Sequence, residues 1–220
     1  MNGTSALRGV KRFVGRRLGL GPRRLTRYEH LLRLFQAEHP RRMIEIGVWR
    51  GDRAVQFLTA GERLEWYVGL DLFEAMDEQT FQGERMGGCA PHSLEEVQAR
   101  LRAATPPGCR LELQKGFTQQ TLPPLAARHP GAFDFIYIDG GHSLETIAND
   151  WTWAERLLAP GGVVVLDDYY LNNATRGAKP LVERLLGQPT YQVRFFPVIE
   201  DIVDGLQITM VSVRSTPAHA

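Results

Sequence analysis

The chain has little cysteine: Cys89 and Cys109 are the only two in 220 residues. They form no CxxC pair, so neither a zinc ribbon nor a disulfide framework is indicated, and a reducing cytoplasm is the expected setting. No apolar run approaches the ~18 residues needed to cross a bilayer. The N-terminus is basic but lacks the continuous apolar stretch of a secretory signal. Repeats and low-complexity tracts are absent. Neither sign of charge prevails, since 26 Lys+Arg stand against 25 Asp+Glu.

That balance hides an uneven distribution. Residues 1–42 hold eleven Lys/Arg against Glu29 and Glu38, a net of +9, which leaves −8 for the remainder. A basic arm over residues 1–24 therefore precedes a mildly acidic body. Charge runs are usually solvated faces, so the arm is expected to lie on the surface or to pack between copies in a homo-oligomer. An acidic body argues against a nucleic-acid partner, which would require a basic face around the site. With 43% hydrophobic residues the chain can bury one large core. The expected division is an arm at 1–24, one domain over 25–215 with an insertion at 73–92, and a disordered tail at 216–220.

Within the body, strands and helices alternate. Thr26 caps a helix running to Glu38, which His39-Pro40 ends. Short strands follow at Met43–Ile46, Trp66–Leu70, Leu111–Lys115, Phe133–Ile138 and Gly162–Leu166. Helical stretches separate them at Arg53–Thr59, Ser93–Ala104, Gln119–Arg128 and Ser143–Leu158. Ser93 to Glu96 forms a capping box. Residues 73–92 show no clear period. A helix at Pro180–Leu186 then leads to two closing strands, Gln192–Phe196 and Leu206–Val213, with a turn at Asp204-Gly205. Such alternation predicts an α/β fold, a doubly wound, seven-stranded and mostly parallel sheet with an antiparallel edge hairpin.

In sheets of this type ligands bind beyond the carboxyl ends of the strands. Four of the five parallel strands end in carboxylates there: Glu45, Asp71, Asp139 and the pair Asp167-Asp168. Like charges gathered at one rim repel, so packing alone does not explain them; a cationic ligand, a ribose or a metal would. The first turn, Glu45-Ile46-Gly47-Val48-Trp49-Arg50-Gly51, lacks the third glycine of a dinucleotide fingerprint. Asp71, twenty residues beyond Gly51, is placed to accept both hydroxyls of an adenosine ribose.

The most specific stretch runs from Phe133-Asp134-Phe135-Ile136-Tyr137-Ile138-Asp139-Gly140-Gly141-His142 through Asp150-Trp151 to Leu158-Ala159-Pro160-Gly161-Gly162 and Asp167-Asp168. With E-x-G-x-x-x-G, it resembles the class I S-adenosylmethionine-dependent methyltransferases, in particular the macrocin-type natural-product O-methyltransferases. The likeness covers about Ile44 to Tyr169. It implies cofactor contacts at Glu45, Gly47, Trp49, Gly51, Asp71, Gly116, Phe117, Thr118 and Asp139. It also implies Mg²⁺ at Asp139, Asp167 and Asp168, as in metal-dependent members, and O-methylation of a hydroxylated small molecule such as a natural product or a sugar.

Two positions depart from that pattern. Arg53 stands where relatives carry a small hydroxyl residue, so a guanidinium is expected to hold the methionine carboxylate. Gly141 stands where some relatives place an acidic base, which moves the catalytic assignment to His142 together with Asp139. Competing assignments are structural: Asp139 as a helix cap, one of the Asp167-Asp168 pair bonding a loop, His142 steadying the glycine turn, Trp49 as packing. Tyr169, Tyr170, Asn172, Asn173 and Arg176 are candidates for an acceptor pocket, and Trp151 and Trp153 for the core. A metal-independent N-methyltransferase, a nicotinamide oxidoreductase and a non-catalytic binding module remain as alternative functions.

Overall fold

The structure is a computed structural model that describes residues 24–84, 91–202 and 205–215. Thr26 opens α1 (Arg27–Glu38) through a capping box with Glu29, and Leu31 and Phe35 seat the helix in the core. The capping box satisfies orphan N–H groups at the first turn. There follow β1 (Arg42–Ile46), α2 (Asp52–Ala60), β2 (Trp66–Asp71), α3 (Glu78–Gly83), α4 (Leu94–Ala104), β3 (Arg110–Lys115), α5 (Thr118–Arg128), β4 (Phe133–Ile138), α6 (Leu144–Leu157), β5 (Leu158–Tyr170), α7 (Lys179–Leu186), β6 (Tyr191–Phe195), β7 (Glu200–Asp201) and β8 (Gln207–Ser215). Most of the expected basic arm and all of the expected tail lie outside the described residues.

The sheet runs β3-β2-β1-β4-β5-β8-β6. The first five strands are parallel, and β8 is antiparallel to both β5 and β6. The doubly wound fold is therefore as expected. Its antiparallel edge is also as expected, since β8 and β6 pair there. The strand count is eight instead of seven: the closing strands are not joined by a simple turn, because β7 intervenes as a two-residue strand on β8. Gly205 lies between β7 and β8, and β8 lies between β5 and β6.

Alternation along each strand splits the core into two layers. Ile44, Ile46, Val68, Leu70, Ile136 and Ile138 pack toward α5, α6 and α7. Met43, Tyr67, Phe135 and Tyr137 pack toward α1, α2 and α4. Burial on both faces is why these strands read as near-continuous apolar runs. Trp151 is buried, and Trp153 packs against the same core. Asp134 ties the starts of β1 and β4 together, because its Oδ2 accepts the backbone N–H groups of Arg41 and Arg42, both at 2.9 Å.

At the carboxyl edge the ends of these two strands close even more tightly. Gly47 has φ of +90°, and a Cβ there would lie 2.0 Å from the Asp139 carbonyl oxygen. The expectation that this glycine admits a ligand is incomplete, since the neighbouring backbone already forbids a side chain. Beyond Leu166 the pairing of β5 with β8 shifts register, and Asp168 takes φ of 52°. A non-glycine residue there is unusual and strained, and it breaks the up-down alternation that would have parted Asp167 from Asp168. No helix among the described residues is long and apolar enough to cross a membrane.

Candidate functional site

Two clefts open at the carboxyl edge and share the wall formed by Gly47 and Asp71. The first, about 650 Å³, is lined among others by Leu72, Met76, Phe117, Thr118, Gly140 and Asp150. The second includes Tyr28, Glu45, Trp49, Arg53, Asp139 and His142. Asp71 is rigidly held between them. Its Oδ2 accepts the Trp49 N–H and its Oδ1 the Phe73 N–H, each at 2.7 Å. The first of these bonds holds Trp49 at φ 53°, so its left-handed backbone has an observed anchor. Each carboxylate oxygen keeps a lone pair for a hydroxyl donor.

Glu45 is fully buried at the end of β1. Its Oε2 accepts the Tyr67 hydroxyl, while Oε1 has no partner. Burial pushes its carboxyl up to about 8 against the opposing effects of Tyr67 and Arg53. Arg53 lies with its guanidinium carbon 3.6 Å from the Tyr28 ring centroid and donates to Gln56 Oε1 at 2.7 Å. The second cleft thus carries one buried carboxyl group and one guanidinium, the groups that pair with an amino acid's two ends.

Behind it lies a buried acidic cluster. The Tyr137 hydroxyl is 2.8 Å from Asp139 Oδ2 and 3.0 Å from Asp167 Oδ2. The one hydroxyl proton faces both carboxylates. Burial, then the charges of Asp167 and Asp168, raise the Asp139 pKa well above the usual carboxylate range. Asp167 Oδ1 accepts Arg27 Nε at 3.2 Å and the Asp168 N–H at 2.9 Å. Arg27 also pairs with Glu200. Asp168 accepts His142 Nε2 on Oδ2 at 3.0 Å and the Tyr170 hydroxyl on Oδ1 at 2.7 Å. Burial opposes charge on the His142 ring, and Asp168 overrides it, leaving the pKa raised. The other ring nitrogen, Nδ1, is buried without a partner.

The methyltransferase-domain family profile matches residues 44–169. The chain belongs to that family. Among curated proteins none matches. Three crystal structures share the fold. They are cofactor-bound Rv0187 from MTB (20% identity, 88% of this chain and 83% of that one, TM-score 0.61), the O-methyltransferase TomG of Streptomyces achromogenes, involved in tomaymycin synthesis, in complex with SAM (20%, 86% and 79%, 0.61), and a Bacillus cereus O-methyltransferase with SAH (19%, 90% and 84%, 0.61). The resemblance to class I S-adenosylmethionine-dependent methyltransferases is thus upheld in family and fold.

In this methyltransferase the sequence-derived site residues other than Gly51, Asp167 and Asp168 line the two clefts. Gly116, Phe117 and Thr118 join the first; Glu45, Trp49, Arg53, Asp139 and His142 join the second. Gly51 lines neither: at φ +81° it caps α2, and a Cβ would sit 3.1 Å from Leu101 Cδ2. Of the loop candidates, Asn172 bonds Gly205 O and the Gln207 N–H, while Asn173 bonds Thr175. Those two asparagines hold turns and line neither cleft. Arg27, Tyr28, Tyr137 and Asp150 were missed. Tyr137 sits in the specific motif but in a strand reads as core, and the α1 pair carries no local signal at all.

The expected Mg²⁺ ligands are brought together, but as a set they do not fit a divalent cation. Both oxygens of Asp167 and of Asp168 already accept protein donors. Among the described residues no three His, Cys, Asp or Glu groups are disposed to hold a metal. The guanidinium of Arg27 brings the positive charge instead.

Proposed function

We propose that this methyltransferase transfers the methyl group of S-adenosylmethionine to a hydroxyl of a small molecule. The observation that carries this reading is the shared wall at Asp71: a carboxylate with free lone pairs, fixed between a flat, largely apolar cleft and a charged one. With the ribose hydroxyls on Asp71, the adenine falls into the first cleft and the methionine into the second. Glu45 then meets the ammonium group and Arg53 the carboxylate. Loss of such a charge-assisted bond costs more than a neutral one. That two of the fold neighbours named above are O-methyltransferases favours oxygen as the acceptor, and one of these two is involved in tomaymycin synthesis.

His142 is the base of this reading. Its Nε2–H donates to Asp168, which fixes the tautomer and leaves the Nδ1 lone pair to accept a proton. The acceptor oxygen attacks the methyl carbon as the carbon–sulfur bond breaks, the hydroxyl proton passes to Nδ1, and the products are the methyl ether and S-adenosylhomocysteine. Arg27 balances the buried carboxylates behind the base, the electrostatic role a cation would otherwise fill. Phenols, sugars and other hydroxylated metabolites, screened with S-adenosylmethionine by mass spectrometry, should include one that gains a single methyl group. His142→Ala should lower its rate by roughly 10²–10⁴. A screen in which only amines gain a methyl would favour N-methylation and refute the reading.

A further inference from the structure

Asp150 lies on α6, one turn beyond Thr146, and is completely buried. Its Oδ1 accepts Asn149 Nδ2 at 3.0 Å, and the same amide also donates to Thr118 Oγ1 at 3.2 Å. Oδ2 has no partner, although the residue lines the first cleft. Burial pushes the carboxyl up to about 6. An acceptor buried without a donor costs stability, so its retention beside a cleft points to a donor that arrives with the ligand.

The surroundings narrow what that donor can be. Ile46, Leu70, Leu72 and Met76 offer no polar side chain along the cleft, and of the two other acids lining it, Asp71 and Glu84, Glu84 is already engaged. Its carboxylate accepts the Ser143 N–H, the Ser143 hydroxyl and the Thr146 hydroxyl. Gly140 is close enough that a Cβ there would meet Asp150 Oδ2 at 3.6 Å, so the glycine loop and the carboxylate form one end of a slot. Asp71 lies at the border with the second cleft. In a purine attached through N9, the 6-amino group carries the only N–H of the ring system and points away from the ribose.

We propose that Asp150 Oδ2 accepts a hydrogen of the adenine 6-amino group and selects adenine over a 6-oxo purine. The inference rests on the cofactor reading above. A 6-oxo purine would set a carbonyl oxygen against the carboxylate, two acceptors with no hydrogen between them. A site built around a specific hydrogen bond rejects such analogues strongly. Substituting Asn keeps the shape and the Asn149 bond while placing an amide donor at the Oδ2 position.

Calorimetry on the full chain with S-adenosylhomocysteine and its deaminated analogue, S-inosylhomocysteine, tests this. The unmodified protein should bind the adenosyl compound roughly 10–100-fold more tightly. Asp150→Asn should weaken adenosyl binding by a similar factor and narrow or invert the preference, and its melting temperature at neutral pH should not fall. Equal affinities of the unmodified protein for the two compounds would overturn the inference without touching the cofactor reading. Unchanged adenosyl affinity in D150N would do the same. No binding of S-adenosylhomocysteine to the unmodified protein would overturn the cofactor reading and this inference together.

Discussion

Arg27 Nε lies 3.2 Å from Asp167 Oδ1, although 140 residues separate the two in the chain. The contact puts a permanent cation against the buried acidic cluster, with Glu200 on the guanidinium's other side. The arginine stays charged, because Asp167, Tyr28 and Glu200 more than offset its burial. Turnover should therefore persist in EDTA. Arg27→Met would leave Asp167 buried without a counter-charge; breaking a buried pair in this way destabilises by about 3–5 kcal/mol. It should abolish turnover and let Mn²⁺, followed by electron paramagnetic resonance, bind where it does not bind the unmodified protein. Loss of activity in EDTA by the unmodified enzyme would show that a metal displaces Arg27.

Asp71 is held by two backbone N–H groups before any ligand arrives. Asp71→Ala should weaken S-adenosylmethionine binding by about 1–3 kcal/mol, read by calorimetry. Asp71→Asn should lose nearly as much. Its amide can place only one acceptor oxygen where two N–H groups now converge, which would release Trp49 from φ 53° or Phe73 from φ 51°. Wild-type affinity in both variants would remove the ribose from this position.

The site shows what was legible in the sequence and why. Glu45, Asp71, Asp139 and Asp167-Asp168 could be found because each follows an apolar run, and strand ends in a doubly wound sheet share one edge. Ser93 and Ser143 cap their helices as local chemistry predicts. What could not be read depends on contacts distant in sequence. Nothing near Arg27 or Tyr28 says that α1 lays them beside β5. The register shift after Leu166 has no local marker, so the strand alternation that would part Asp167 from Asp168 gave no sign of how the two come together. Asp150 was legible only as part of the specific motif, and only packing reveals its orphan oxygen. Residues 73–92 showed no period because their described part is a short turn and the six-residue α3, which buries no side chain.

Glu84, at the end of α3, grips the start of α6 through Ser143 and Thr146. Gly141 makes room for it, since a Cβ there would lie 2.5 Å from Glu84 Oε2. Met76, Thr80 and Glu84 line the first cleft, so the grip holds this part of the insertion over the strand ends. Glu84→Ala should raise KM for S-adenosylmethionine several-fold with a smaller change in kcat, because it loosens one wall and leaves His142 in place. Gly141→Ala should act in the same direction by pushing the Glu84 carboxylate away. Steady-state kinetics on both variants check this, and unaltered KM in both would separate the insertion from cofactor binding.

The raised pKa of Asp150 makes a stability prediction of definite sign. In the unfolded chain an aspartate titrates near 3.9; in the fold this one titrates near 6, chiefly through burial. Between those values the native state binds more protons than the unfolded state. Stability therefore falls as pH rises through that window, and the loss is complete above about pH 6. A shift of this size corresponds to about 3 kcal/mol. Glu45 adds a similar slope at higher pH, since its carboxyl is pushed up to about 8, so the Asp150 share must be isolated by difference. Asp150→Asn removes the titration. Its melting temperature relative to the unmodified protein, measured without cofactor, should rise from pH 4 to pH 6.5 and then level off. Saturating S-adenosylhomocysteine should reverse the ranking at neutral pH, because the cofactor gives the carboxylate the donor it lacks. A difference that stays flat with pH would show that the buried carboxyl keeps its ordinary pKa in the fold.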